Sequence, residues 1–340
     1  MNALSHRNRE QREAEEDARL APAGARSAQS RGRERDEAPD PLRTAYERDR
    51  DRILHSKAFR RLKHKTQVFI APEGDHVVTR LTHTLNVAQV GRSLANALGC
   101  NESLTEAICL GHDLGHAPFG HTGEPALTPF MGTSEATGQP NEWLHAVQSV
   151  RIVRKLEPLN LTHEVRHDMF ASSWRNDEPI TAEGWICRYA DRIAYLAHDA
   201  QDAMRAGVLR REQIPAEVIA TFGEPGAPWI SAMIAAVVDC STQTGEVAMA
   251  DDALQVMHAL RDFMFQTVYL RPESKDQSRK AIRVIRDLVE HFADHTGDIP
   301  VGYALPDDPQ VQQAVDYVAG MTDRYAIRTH ETLFRPRGAF

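Results

Sequence analysis

Between His112 and His121, ten residues hold three histidines and a carboxylate: His112, Asp113, His116 and His121. A neutral imidazole beside a carboxylate is a ligand pair for a hard or borderline divalent cation. The further imidazoles stand where protons can pass to or from a substrate, because histidine titrates near neutral pH. His83 upstream and Asp191 downstream extend the pair to two imidazoles and two carboxylates. Such a mixed nitrogen and oxygen set suits Mn2+, Mg2+, Fe2+ or Co2+ better than a thiolate site does. Asp191, Tyr195 and Asp199 are spaced i, i+4, i+8, which on a helix places them within about 80° of one another. Alanines and aliphatics flank that stripe, which favours a site-lining face over a solvated acidic one. Five cations from Lys57 to Lys65, Arg60 among them, read equally as a solvated helix face or as a wall against a polyanion.

The elements that must position these groups read as helices. Val77 to Leu98 repeats apolar residues at three- and four-residue steps, carries His83 and ends at Gly99. A helix from about Glu102 to Leu114, capped by Asn101 or Ser103, delivers His112 and Asp113 at its C-terminal end. Gly115, Pro118 and Gly120 then make a turn. Asn141 caps a helix to about Glu157 that carries His145, and another spans Thr162 to Trp174. Thr181 to Ala206, closed by Gly207, carries the Asp191 stripe. The pattern continues through Ala253–Val268, Asp276–Phe292 and Gln310–Thr329. Residues 131–141 are small and polar, a mobile loop over or beside the site. Strand-like alternation never exceeds a few residues, so the expected fold class is all-α.

At 340 residues core size is not limiting. The net charge of −8 argues against a surface that coats DNA or membranes. Four scattered cysteines without a CxxC pair read as reduced thiols rather than disulfides or a zinc knuckle. No run approaches 18 apolar residues and no signal-like stretch opens the chain, so a cytoplasmic protein without a membrane partner is expected. Residues 1–40 are rich in Arg, Glu, Ala and Ser and poor in large apolar residues, which predicts a disordered arm. Its interleaved arginines leave open a contact with nucleic acid or another subunit. Residues 41–340 then form a single domain, with a metal-site core at about 75–207 and a C-terminal helical part at about 208–340.

The order His83, His112-Asp113, Asp191 resembles that of HD-domain phosphohydrolases. Longer blocks narrow the resemblance: Asp49 to Phe69, Arg80 to His83, His112 to His121, Ala190 to Tyr195 and Ala319 to Ala326 all look like the dGTP triphosphohydrolase family, in order, from about Pro41 to Phe334. The resemblance implies an HD-domain helical bundle with additional C-terminal helices and one divalent metal ion per active site. It implies hydrolysis of a deoxynucleoside triphosphate to deoxynucleoside and inorganic triphosphate, by water attack at the α-phosphorus. His83, His112, Asp113 and Asp191 match the metal ligands. Tyr195 and Asp199 match residues that receive the deoxyribose, and Gln67 is similar to a further sugar contact. Arg80 and His116 match groups that hold the α-phosphate, with Arg60 and its neighbouring cations extending that wall. His121 and Glu124 resemble a pair assigned to proton transfer, and His145 matches another histidine proposed for that work. A closed homo-oligomer and an activating nucleotide at subunit contacts are implied as well. An HD phosphodiesterase on other nucleotides or nucleic-acid ends shares the metal pattern, but has no evident use for Tyr195 and Asp199. A dNTP-binding regulatory protein with weak turnover is the reading from another class.

Overall fold

The computed structural model describes residues 6–67, 78–133 and 141–336. These residues form fifteen α-helices joined by short 3-10 and π turns, with two isolated bridges and, among the described residues, no β-strand. The all-α class expected from the helical periodicities is therefore the class observed.

The segment expected to be a disordered arm is folded onto the body over its described residues 6–40. Asn8 caps α1 (Arg9–Arg19) in a reciprocal capping box with Gln11. Polar bonds tie down the rest: Arg33 ion-pairs with the fully buried Asp49, and Ser30 and Arg31 bond to Glu164, each at 2.7 Å. The Ala25 amide donates to Glu183 at 2.9 Å. Composition misleads here because it weighs apolar burial alone, whereas this strap is held by carboxylates already buried in the body.

The first core is built by α2 (Ala45–His55), α3 (Lys57–Arg61), α4 (Arg80–Leu98) and α5 (Glu102–Gly111). Thr79 caps α4 through the Thr82 amide, and Gly99 ends it in the left-handed conformation that glycine adopts without strain. Asn101 caps α5 by accepting from Ser103 and Leu104. Short α6 (Glu124–Leu127) and α7 (His145–Arg151) follow, then α8 (His163–Ala171) and the long α9 (Ala182–Arg205). α9 packs against both α4 and α5, burying Ala190, Ile193, Ala194 and Ala197 completely. α10 (Ala216–Phe222), α11 (Ala227–Thr244) and α12 (Asp251–Met264) close this core around Trp229, Met233 and Leu260.

A second core forms under α13 (Pro272–Asp294), α14 (Gln310–Ala319) and α15 (Asp323–Phe334). Ile285, Leu288, Val315 and Val318 pack there against Phe119, Leu127 and Trp143. The cores thus divide the chain differently from the expected boundary near 207, because the apolar side chains of residues 117–143 find their partners on the C-terminal helices. The helix expected over Gln310–Thr329 is two: α14 stops at Gly320, and Thr322 caps α15 by accepting from Tyr325. The expected loop at 131–141 falls, from 134 to 140, outside the described residues.

Candidate active site

His83 on α4 and Asp191 on α9 converge with His112 and Asp113, which directly follow α5; that helix ends at Gly111, short of the expected Leu114. Ligand atoms of the first three lie within 4.8 Å of one another. Asp191 Oδ1 stands 3.0 Å from His83 Nε2 and 3.7 Å from His112 Nε2. The Cys109 carbonyl, 2.7 Å from His112 Nδ1, assigns that ring's proton to Nδ1 and frees Nε2 for a cation. Burial resists charge on His112, yet Asp113 and Asp191 outweigh it and raise its pKa to about 9, so a bound cation would take the place of the proton at Nε2. Burial would also raise Asp113, but His112, Arg80 and His116 hold its carboxyl well below the usual range. A pocket this rich in negative potential and nitrogen lone pairs fits a divalent metal ion. Asp191, 28% exposed against 4% or less for the others, is the open side of the set.

A second cluster adjoins the first. Glu124 Oε1 lies 2.7 Å from His121 Nδ1, 3.0 Å from His145 Nδ1 and 3.7 Å from His116 Nδ1. Burial would raise the Glu124 pKa, but hydrogen bonds from His121 and His145 prevail and hold the carboxyl below the ordinary range. His145 stacks flat on His116, ring centroids 3.9 Å apart. The His121 side chain is 71% exposed, that of His145 only 15%.

His116 and Arg80 join the two clusters. His116 Nε2 is 3.1 Å from Asp113 Oδ1, while its buried Nδ1 has no hydrogen-bond partner. Burial, helped by the Arg80 cation, pushes its pKa well down, so the ring is neutral. Arg80 donates Nη1 to Asp113 Oδ2 at 2.9 Å and leaves buried Nε and Nη2 without an acceptor.

On α9, Tyr195 and Asp199 continue the face that carries Asp191. Burial pushes the Asp199 carboxyl up to about 7, although a 2.8 Å hydrogen bond from the Tyr269 hydroxyl works against the shift. Burial likewise raises Tyr195 to about 12, leaving a neutral phenol. Tyr269 escaped the sequence reading because no spacing links a residue 70 positions downstream to α9. Gln67 is half-buried at the edge of the described residues, and Arg60 is exposed on α3; no side-chain bond joins either to the site among the described residues. The reading of 57–65 as a phosphate wall fails at Lys65. Its ammonium is buried and donates to the carbonyls of His116 and, at 2.9 Å, Ala319, so it is turned into the protein rather than out onto an exposed phosphate-facing wall.

The HD domain family matches residues 80–196, which contain all four candidate ligands, and the phosphohydrolase-associated domain matches residues 247–332. Relatives named deoxyguanosinetriphosphate triphosphohydrolase-like protein match nearly end to end. The one from Caldanaerobacter subterraneus subsp. tengcongensis is 44% identical, covering 93% of each chain. Those from Desulfatibacillum aliphaticivorans and Clostridium perfringens are 41% and 40% identical, covering 93% and 92% of this chain and 95% and 93% of the relative. Among the described residues no helix is long and apolar enough to cross a membrane. Identity at this level over this span means that the chain belongs to the deoxyguanosinetriphosphate triphosphohydrolase-like family of HD-domain phosphohydrolases.

Proposed function

We propose that the protein hydrolyses deoxynucleoside triphosphates to deoxynucleoside and inorganic triphosphate, with water attacking the α-phosphorus. The observation that supports this most is Arg80, buried beside the ligand set with two nitrogens unsatisfied. A phosphoryl oxygen there would complete its hydrogen bonds, and an arginine so enclosed favours a negatively charged transition state. His83, His112, Asp113 and Asp191 would hold one divalent ion, Mn2+, Mg2+, Fe2+ or Co2+, which when bound supplies Lewis acidity and a more acidic water.

The chain's own groups account for the remaining roles. Asp113 orients Arg80 by accepting from Nη1. His121, exposed and held at Nδ1 by Glu124, donates a proton from Nε2 to the departing 5′-oxygen. His145 shares Glu124 and braces His116 by stacking, which makes it the supporting imidazole. Asp199 receives the 3′-hydroxyl, and the Tyr195 ring closes the space beside C2′, with Gln67 as a further sugar contact. A homo-oligomer with an activating nucleotide at subunit contacts belongs to the same reading. Incubation with dGTP, dATP and dCTP, singly and in pairs with Mn2+, tests it. Inorganic triphosphate is expected, and release of pyrophosphate or monophosphate in its place would overturn the reading.

A further inference from the structure

The two halves of the site belong to different cores. His83 and Asp191 stand on α4 and α9 of the first core, and His112 and Asp113 directly follow α5 of the same core. His121 and Glu124 stand on a stretch whose Ala117, Phe119, Ala126 and Leu127 are buried in the second. What stitches them together is a set of buried polar bonds. Asp323 Oδ1 accepts from the Phe119 amide at 2.9 Å. Asp323 Oδ2 accepts from the Thr66 amide at 2.9 Å and from the Thr66 hydroxyl. Lys65 donates to the carbonyls of His116 and Ala319. The Lys65 carbonyl accepts from the Arg80 amide at 3.1 Å, and Thr66 bridges Thr79, so the stitch reaches the first turn of α4.

Between these anchors Phe119 and Gly120 both take left-handed backbone, with φ of 62° and 60°. A phenylalanine seldom holds that conformation, so something must impose it. Asp323 grips its amide. At Gly120 a Cβ would stand 2.7 Å from Arg80 Nη2 and 3.2 Å from the Thr66 carbonyl oxygen. The turn is the shelf on which the Arg80 guanidinium lies.

We propose that Asp323 and Lys65 are positioning residues: they lock the Phe119–Gly120 turn against Arg80 and hold the acid–base half of the site in register with the metal half. The phosphohydrolase-associated region, which contributes Asp323, thereby governs turnover rather than metal binding. Both side chains are buried and engaged with the protein's own groups, so neither touches substrate. The proposal rests on the triphosphohydrolase reading for its kinetic consequence only.

The test uses full-length Asp323→Asn and Lys65→Met, with Val289→Ala in the second core as a destabilised control. Bound Mn2+, kcat and KM for triphosphate release, and histidine-selective 15N spectra of the Mg2+-loaded protein are measured below each melting temperature. Asp323→Asn puts an amide hydrogen against the Thr66 environment and is expected to keep its Mn2+ while kcat falls about 30-fold or more and KM moves about threefold or less. Lys65→Met is expected to behave alike, whereas Val289→Ala should change kcat by about twofold at most. His121 and His145 resonances should shift in Asp323→Asn while those of His83 and His112 stay. If Asp323→Asn does not fold, Thr66→Ala, which removes one donor to the same carboxylate, should show the same pattern at about fivefold. A kcat loss no larger than that of Val289→Ala, or loss of Mn2+ together with activity, would overturn the proposal. Should the wild-type protein release no triphosphate, the functional reading fails but the spectra still decide: unmoved His121 and His145 signals overturn the positioning role, and shifted ones support it.

Discussion

One carboxylate oxygen on Glu124 faces three imidazoles, and the division of labour among them can be measured. His121→Asn removes the exposed donor and is expected to cut kcat by about 10²- to 10⁴-fold with Mn2+ still bound. His145→Asn leaves the His121–Glu124 bond in place and should cost only about tenfold. Metal analysis beside triphosphate release checks both, and turnover retained in His121→Asn would remove it from the chemistry. Asp199 makes a different prediction, about pH. Its folded-state pKa, about 7, lies above the ordinary 3.8. Below both values the group is neutral whether folded or not, and stability is unaffected. As pH rises between them the unfolded chain loses the proton and the folded one does not, so stability falls until the folded group ionises. Asp199→Asn, which can still accept from Tyr269, should therefore raise the melting temperature little at about pH 4 and most at about pH 8, where the gain is on the order of 3 kcal/mol. A gap that does not widen with pH would show that the carboxyl is not held neutral.

At the scale of elements, the closeness of the turn after α5 to α7 depends on one glycine. A Cβ on Gly115 would stand 2.3 Å from both the His145 carbonyl oxygen and the Ser149 nitrogen, which are backbone and cannot swing aside. Ser149 seals the contact by accepting from the Gly115 amide and donating to the His112 carbonyl, each at 2.9 Å. Gly115→Ala should destabilise by about 3 kcal/mol and pull His145 from Glu124. Activity per folded molecule, compared by thermal melts and kinetics, is then expected to drop as well. The strap formed by residues 6–40 is held differently, by charge. Arg33→Ala leaves Asp49 buried without its cation and should cost about 3–5 kcal/mol in denaturant titration. A loss below about 1 kcal/mol would mean that the two bonds from Thr162 suffice for that carboxylate.

For the whole molecule, a metal ion held by the candidate ligands would link binding to stability through the first core. An ion that binds only the folded chain adds about 2.7 kcal/mol at a hundredfold excess over its dissociation constant. Chelation should lower the melting temperature accordingly. Because the four candidate ligands sit on α4 and α9 and directly after α5, hydrogen exchange should quicken in those helices before α13–α15 respond. Uniform loosening across both cores would place the ion's influence elsewhere. On the proposed reading each core carries one half of the site, and their register is then a property of the entire fold.

How much of this was legible in the chain varies with distance. The cap at Asn101, the stop at Gly99 and the 3.6-residue repeats of α4, α5 and α9 depend on neighbours within a turn or two, so local chemistry specified them, although the start of α4 after the Thr79 cap was placed too early, at Val77. The identities of His83, His112, Asp113 and Asp191 followed from donor type and order, and the fold does bring them together. Pairings across the chain were invisible. Lys65 looked like one cation in a run of five until burial against two carbonyls turned it inward. Asp323 gave no sign of reaching Thr66 and Phe119, nor Tyr269 of reaching Asp199. Residues 6–40 lacked the apolar content of a folded segment, yet buried carboxylates on distant helices supplied their partners. Helix and ligand type are encoded by local sterics and donor chemistry, whereas a buried polar bond exists only once packing has excluded water from both of its ends.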